Sequence, residues 1–372
     1  MMKKNDMIYV TRPMIPPRDK FHQMCDEIFD SEWLTNMGEK HNKLEDNLKS
    51  FLDVDNILLF NNGTNALLTA LKAMDLPYGS EVITTPFTFA ATTHVIEWNG
   101  LKPVFADICQ DRMVLTVESI EKNITPDTSA ILAVHVYGFP CDVVGIERLA
   151  KKYNLKVIYD GAHAFNTKIL GKSISKWGDI TMLSFHATKL FNTIEGGALI
   201  SNCKATHEKI KDLRNFGFQN EVTVSDIGIN GKMNEIQAAV GLLNLEILDD
   251  EIAGRIYINQ LYRDNLSCIR EITIPNIDDN TSNSHQYFPI LVENKRDELY
   301  EFLKKNGVYA RKYFYPLCSE FAPYSKLESS SVDNLPIATE MSRQVICLPY
   351  YGRLVEDDQL NKVITLIKDF FR

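Results

Sequence analysis

The chain of 372 residues has no apolar run approaching the ~18 residues that span a bilayer, so no membrane is expected as a partner. Its opening Met1-Met2-Lys3-Lys4-Asn5-Asp6 leads into no apolar stretch of the kind a secretory signal needs. The seven cysteines, Cys25, Cys109, Cys141, Cys203, Cys268, Cys318 and Cys347, are scattered and form no CxxC pair. That leaves no disulfide framework and no zinc-ligand spacing, and predicts reduced thiols in a cytoplasmic protein with no metal. No GxxxxGK[ST] loop and no GxGxxG after a strand occur, which removes the usual signatures of nucleotide hydrolysis and nicotinamide binding. Low-complexity tracts, internal repeats and long linkers are also missing. Positive charge is in deficit: 40 Lys and Arg face 49 Asp and Glu, a formal net charge of −9. Such a balance argues against nucleic acid as the main partner, yet permits a phosphorylated small ligand, which a few local donors can bind.

What the chain does contain, from about residue 50 to 200, is short apolar runs alternating with amphipathic stretches. Strands are predicted at Asn56–Phe60, Glu81–Thr85, Pro103–Ile108, Ala130–Val136, Lys156–Tyr159, Ile180–Phe185 and Gly197–Ser201. Helices are predicted between them at Thr64–Met74, Phe89–Trp98, Val117–Lys122 and Val144–Tyr153. This alternation specifies an α/β domain of mainly parallel strands, whose ligands bind where strand ends lead into helices. Beyond Asn234 a helical period through Ile236, Ala239, Val240, Leu243 and Ile247 runs on towards Leu266 as one long helix. Strands at Ile272–Pro275 and Tyr287–Val292 and helices at Arg296–Asn306 and near Asp357–Phe371 follow. The expectation is a large α/β domain over 1–250, with an N-terminal arm, and a smaller α+β domain over 251–372.

Four segments carry possible chemistry. Ser184-Phe-His-Ala-Thr-Lys189-Leu-Phe-Asn-Thr-Ile-Glu195-Gly-Gly joins two predicted strands and sets Lys189 among Ala187, Leu190 and Phe191. Desolvation favours a neutral amine able to form an imine, although a lysine in a semi-apolar loop is more often a snorkelling surface residue. Asp160 directly follows an apolar strand in Val157-Ile-Tyr-Asp160-Gly-Ala-His163. A carboxylate there could keep a cofactor's pyridine nitrogen protonated, and could equally cap the next turn. Asn61-Asn-Gly63-Thr64 offers the free N–H groups of a helix start to a phosphate, or is an ordinary helix start capped by Thr64. Phe89, in Thr85-Pro-Phe-Thr-Phe89, could stack on a pyridine ring, or sit in the core. Phosphate cradle, stacking aromatic, carboxylate and lysine come in that order, each at a strand's carboxyl end, and their conjunction points to one site.

At these residues the chain resembles the DegT/StrS family of sugar aminotransferases, from Trp33-Leu-Thr-Asn-Met-Gly38 to Leu348-Pro349. The resemblance implies the fold-type I architecture of transferases dependent on pyridoxal 5'-phosphate (PLP). It implies Lys189 as the imine-forming lysine, Asp160 as partner of the pyridinium nitrogen, Phe89 as the ring-stacking residue and His163 beside the cofactor. It implies Gly63, Thr64 and Ser184 as phosphate ligands. Asn230, in Gly228-Ile-Asn230-Gly-Lys-Met-Asn-Glu235, matches a family asparagine that reaches the neighbouring subunit's phosphate, which implies a homodimer with shared active sites. One subset of the family has histidine in place of the lysine and dehydrates; Lys189 here implies transamination. The lysine loop and the Asn-Gly-Lys-Met-Asn-Glu segment are similar to those of enzymes acting on dTDP-4-keto-6-deoxy sugars, with L-glutamate as amino donor. Amination at carbon 3 of a 3-keto sugar, or a non-catalytic regulatory protein of the same fold, are the alternatives. His285, Tyr287, Tyr313 and Tyr315 are candidate sugar contacts, since rings and hydroxyls suit a deoxysugar and its base, and are equally strand packing.

Overall fold

Apolar β-branched and leucine-rich runs such as Ile57–Phe60 and Thr128–Val134 have almost no exposed face, as strands covered by helices on both sides must. The computed structural model, which describes residues 7–276, 281–355 and 358–372, assembles seven such strands into one sheet. Its spatial order is Ile57–Phe60, Gly197–Ser201, Ile180–Ser184, Lys156–Asp160, Thr128–Val134, Glu81–Thr84, Lys102–Phe105. Gly197–Ser201 runs antiparallel to both neighbours, and the other adjacent pairs are parallel. Helices Gly63–Ala73, Ala90–Trp98 and Val143–Tyr153 fill the crossovers. This is the expected fold-type I α/β architecture.

The predicted Pro103–Ile108 strand ends at Phe105, because Asp107 turns the chain. Its Oδ1 accepts from Ile108 N at 2.9 Å, and both its oxygens accept from the start of helix Pro336–Gln344, at Ile337 N and Ala338 N. The single long helix expected from Ile236 is two helices, Glu235–Glu246 and Leu248–Leu266. Ile247 leaves helical geometry (φ −112°, ψ 7°), and Asp249, Asp250 and Glu251 then place three acids in the first turn of the new helix, where the helix dipole favours them. The period-3.6 signal continues across the break because both helices bury a face, so periodicity could not reveal it. Helix Glu39–Leu52 is an addition to the predicted elements. It buries Leu44, Leu48 and Leu52, and its first N–H groups at Lys40 and His41 are capped by the Glu235 carboxylate at 2.9 and 2.8 Å.

The C-terminal part builds an antiparallel sheet from Ile272–Thr273, Phe288–Val292 and Val345–Leu348. Its core joins Ile258, Tyr262, Ile290, Leu299, Leu303 and Ile367. Ile8–Tyr9 pairs with Val308–Tyr309, so the N-terminal arm lies against this part of the chain. Asp357, where the last helix is expected to begin, and Met1–Asp6 lie outside the described residues; the helix is seen over Gln359–Phe370.

Candidate active site

The loops at the carboxyl ends of the parallel strands converge. Asp160 is the last residue of its strand and is buried. Its Oδ2 accepts from Thr92 Oγ1 at 2.7 Å and its Oδ1 from Ala162 N at 3.0 Å. Burial raises its pKa above the usual aspartate value, while the Ala162 amide, the Thr92 hydroxyl and the Lys189 charge pull it back. Thr92 is the third residue of helix Ala90–Trp98, and Phe89 is the residue that caps it, so the two lie on one face of the first turn. Phe89 keeps 63% of its surface exposed, an open aromatic face beside the carboxylate's partner rather than a core residue.

Lys189 follows the Ile180–Ser184 strand. The loop is fixed by its apolar members. Leu190 and Phe191 are buried, and Phe191 stacks on Phe165 at 4.8 Å and meets Phe185 edge-on at 4.9 Å. Lys189 N donates to His186 O at 2.8 Å. The side chain turns the other way, with Nζ 5.9 Å from the centroid of the Tyr287 ring. Burial brings the lysine's pKa down to about 8, against the pull of Asp160, so a large share of the amine is neutral at mildly alkaline pH.

His163 is buried beside this pair. Its Nδ1 accepts from Tyr137 N at 3.1 Å, which puts the proton of the neutral ring on Nε2. The ring lies parallel to Tyr137 and Phe314, at 6.3 and 5.9 Å, and meets Tyr287 edge-on at 5.1 Å. Burial, and secondarily the Lys189 charge, hold it well below the usual histidine pKa. Burial therefore favours the neutral ring.

The helix start is capped by Asn62, whose side chain accepts from Asn65 N at 2.8 Å, and not by Thr64. Helix geometry leaves the N–H groups of Gly63 and Thr64 without intrahelical acceptors. Gly63 lies directly against Ser184: a Cβ placed on it would sit 3.2 Å from the serine Cβ and Oγ. Gly197 approaches from the neighbouring strand so closely that a Cβ there would stand 2.9 Å from the Gly63 Cα and N. Two amides and a hydroxyl thus form a small donor cradle at the positive end of a helix dipole, which suits a phosphate dianion. Together with a buried carboxylate, an open aromatic face and an amine depressed towards neutrality, these residues fit PLP.

Tyr287 is buried between His163 and Tyr313, whose ring is 5.5 Å away, and so links Tyr313 to the lysine's surroundings. His285 is drawn elsewhere. Its Nδ1 pairs with Tyr350 Oη at 2.9 Å and its carbonyl accepts from Arg255. Tyr315 is exposed, with the Arg296 guanidinium 4.8 Å over its ring. Asn230 is exposed at the surface, its carbonyl accepting from Asn61 Nδ2 at 3.2 Å. Thr92 and Gln286 were not singled out from the sequence. The helical i, i+3 spacing from Phe89 could have found Thr92. Gln286 depends on a contact across 96 residues that no local pattern carries.

Comparison with known proteins agrees with this geometry. The family model described as the DegT/DnrJ/EryC1/StrS aminotransferase family matches residues 17–368. A dTDP-4-amino-4,6-dideoxy-D-glucose transaminase of Shigella dysenteriae is 44% identical over 366 residues, covering 97% of this chain and 98% of the relative. A transaminase of the same name from Escherichia coli is 46% identical over 359 residues, covering 94% and 95%. Among solved structures, that of DesI in the presence of its TDP-sugar product superposes with a TM-score of 0.91 at 32% identity, covering 97% of this chain and 92% of that one. The match extends from the first buried helices to the last, and it includes the loop that holds Lys189. The chain therefore belongs to the PLP-dependent DegT/DnrJ/EryC1/StrS aminotransferase family.

Proposed function

We propose that the protein transfers the amino group of L-glutamate to dTDP-4-keto-6-deoxy-D-glucose, giving 2-oxoglutarate and dTDP-4-amino-4,6-dideoxy-D-glucose. The observation that carries the chemistry is Lys189, a lysine whose pKa burial lowers to about 8, electrostatically coupled to the buried Asp160. The choice of substrate is supported by the two near-full-length relatives that bear that transaminase name.

In this reading the Gly63 and Thr64 amides and the Ser184 hydroxyl hold the PLP phosphate. Phe89 covers one face of the ring, His163 stands beside it, and Asp160 pairs with its nitrogen. PLP, when bound, supplies an electrophilic carbon and an electron-withdrawing ring. The chain's own part is proton movement and orientation. Lys189 Nζ, mostly neutral above about pH 8, would take the proton from the donor's α-carbon and return it on the far side of the transferred nitrogen, two atoms away. Thr92 holds the Asp160 carboxylate in a fixed orientation. Tyr287, beside Lys189 Nζ, and its neighbour Tyr313 are read as the deoxysugar's contacts, whereas His285, paired with Tyr350, and Tyr315, under the Arg296 guanidinium, are left out of that reading.

Asn230 is read as a phosphate ligand supplied to the neighbouring subunit of a homodimer, in keeping with its exposure. The boundary between the two domains is read near residue 250, just past the break at Ile247. The product would serve as a sugar donor for a surface polysaccharide such as the O-antigen of lipopolysaccharide. A cytoplasmic setting is supported by seven free thiols and by the lack, among the described residues, of any helix long and apolar enough to cross a membrane.

The test is the absorbance of the PLP-loaded protein before and after L-glutamate and then the keto-sugar. A visible band that fades with glutamate and returns with the sugar is expected, with NMR placing the new amine on carbon 4. A band that never responds to glutamate would refute transamination, and an amine on carbon 3 would refute the substrate. Lys189→Ala should abolish turnover while leaving much of the phosphate affinity; turnover at the wild-type rate in that variant would remove Lys189 from its role.

A further inference from the structure

His285, Gln286 and Tyr287 lead into the Phe288–Val292 strand of the C-terminal part. Gln286 is 1% exposed, and its side-chain amide brackets Lys189. Its Oε1 accepts from Leu190 N at 2.7 Å, and its Nε2 donates to Thr188 O at 2.9 Å. The backbone groups fix the amide's orientation, since an N–H requires the oxygen and a carbonyl requires the nitrogen. One side chain thus grips the peptide on both sides of the lysine. An ionised glutamate would set a carboxylate against Thr188 O. Leucine or methionine would leave the donor of Leu190 and the acceptor of Thr188 without these partners.

The grip is itself anchored. Arg255, fully buried, donates from Nη1 to His285 O at 2.9 Å and Gln286 O at 3.3 Å. Its Nε donates to Glu251 Oε1 at 2.7 Å, and the same carboxylate oxygen accepts from Gly352 N at 2.9 Å. Glu251 and Arg255 stand in the first turns of helix Leu248–Leu266, just beyond the break at Ile247. Tyr287, next in sequence, meets the far end of the same lysine, 5.9 Å from Nζ. Within its own loop the lysine's peptide is held by Lys189 N to His186 O, with His186 Nδ1 and Thr188 Oγ1 paired at 2.8 Å. A long flexible amine needs its Cα fixed if it is to stay among Asp160, His163 and Tyr287.

We propose that Gln286 is a positioning residue for Lys189, through which the buried Glu251–Arg255 pair of the C-terminal part sets the aim of the lysine's amine. This rests on the reading of Lys189 as the cofactor-bearing lysine, but it is testable without the cofactor. Released from the bracket, the lysine would swing towards water and regain a more ordinary pKa.

The experiment is trace acetylation of cofactor-free protein with acetic anhydride between about pH 6 and 10, with Lys189 labelling read by mass spectrometry against an exposed lysine such as Lys151. Wild type should reach half-maximal labelling near pH 8. In Gln286→Leu and Gln286→Met the midpoint should rise by about one unit, cutting labelling at pH 8 roughly fivefold. Tyr262→Phe, which removes the Tyr262–Pro349 hydrogen bond in the same part of the chain, should lower the melting temperature and leave the midpoint in place. An unmoved midpoint in either folded Gln286 variant overturns the proposal. So does an equal shift in Tyr262→Phe, or failure of both Gln286 variants to fold, which would make the residue purely structural. A failed absorbance response of the PLP-loaded enzyme would strike the proposed reaction instead, so the two failures are distinguishable.

Discussion

Thr92→Val deletes one oxygen from a buried position and nothing else of consequence to shape. In the wild type the Thr92 hydroxyl lies 2.7 Å from Asp160 Oδ2 and 2.9 Å from Thr88 Oγ1. It has a single proton, so if that proton goes to the carboxylate the Thr88 hydroxyl must donate to Thr92, making a short relay that ends on the charge. Valine breaks both links and leaves two buried polar atoms short of a partner. A hydrogen bond to a charged group contributes about 1.5–3 kcal/mol, so a loss of roughly 2 kcal/mol is expected for the cofactor-free protein near pH 8. The pH dependence distinguishes this from simple repacking. The lost donor stabilises only the ionised carboxylate, whose pKa already lies above the usual aspartate value because of burial. The cost of the substitution should therefore be full well above that pKa and shrink as pH falls through it. Urea denaturation of wild type, Thr92→Val and Thr92→Ser at alkaline and acidic pH measures this, with serine expected to recover most of the loss. A valine penalty that is the same at both pH values, or below about 0.5 kcal/mol, would refute the assignment of the Thr92 proton to Asp160.

Two glycine substitutions probe the phosphate cradle separately from the fold. Gly63→Ala places a methyl 3.2 Å from Ser184 Cβ and Oγ, tight enough to displace the serine hydroxyl but opposed only by a side chain. PLP affinity, read by equilibrium dialysis, should fall about tenfold or more (~1.4 kcal/mol), while the melting temperature of the cofactor-free protein changes little. Gly197→Ala instead drives a methyl to 2.9 Å from the Gly63 backbone, which cannot rotate away. It should destabilise the cofactor-free protein by about 1–3 kcal/mol in urea titration, the usual cost of overpacking. Wild-type stability in Gly197→Ala would mean that Gly197 and the start of the Gly63–Ala73 helix are not in this close contact.

Much of the seven-stranded sheet was legible in the sequence because its strands are short, continuous apolar runs between helical stretches, a pattern that sheets covered on both faces impose locally. Gly197–Ser201 and Val117–Lys122 fall where that pattern puts them. The placement of Lys189, Asp160, Gly63 and Phe89 at or after the ends of their strands could be read from the sequence for a related reason: the carboxyl ends of parallel strands lie along one edge of the sheet, so segments that follow them are brought near one another. Other features were decided only in three dimensions. The break at Ile247 hides in an uninterrupted helical period, because both helices bury their apolar faces against different neighbours. His285 and Tyr287, two residues apart, part company: the first turns to Tyr350 and the second to the lysine, after a backbone position at His285 with φ +54°. Gln286 between them reads as an ordinary polar residue until the chain folds it against Thr188 and Leu190. Local motifs supplied the candidate groups Lys189, Asp160, Gly63 and Phe89, since each lies in a short segment at or after a strand's end, but not Thr92 or Gln286. Tertiary structure alone decided how far burial shifts Lys189 and Asp160 and what holds the lysine in place, because desolvation and long-range hydrogen bonds belong to the packed chain and not to any segment of it.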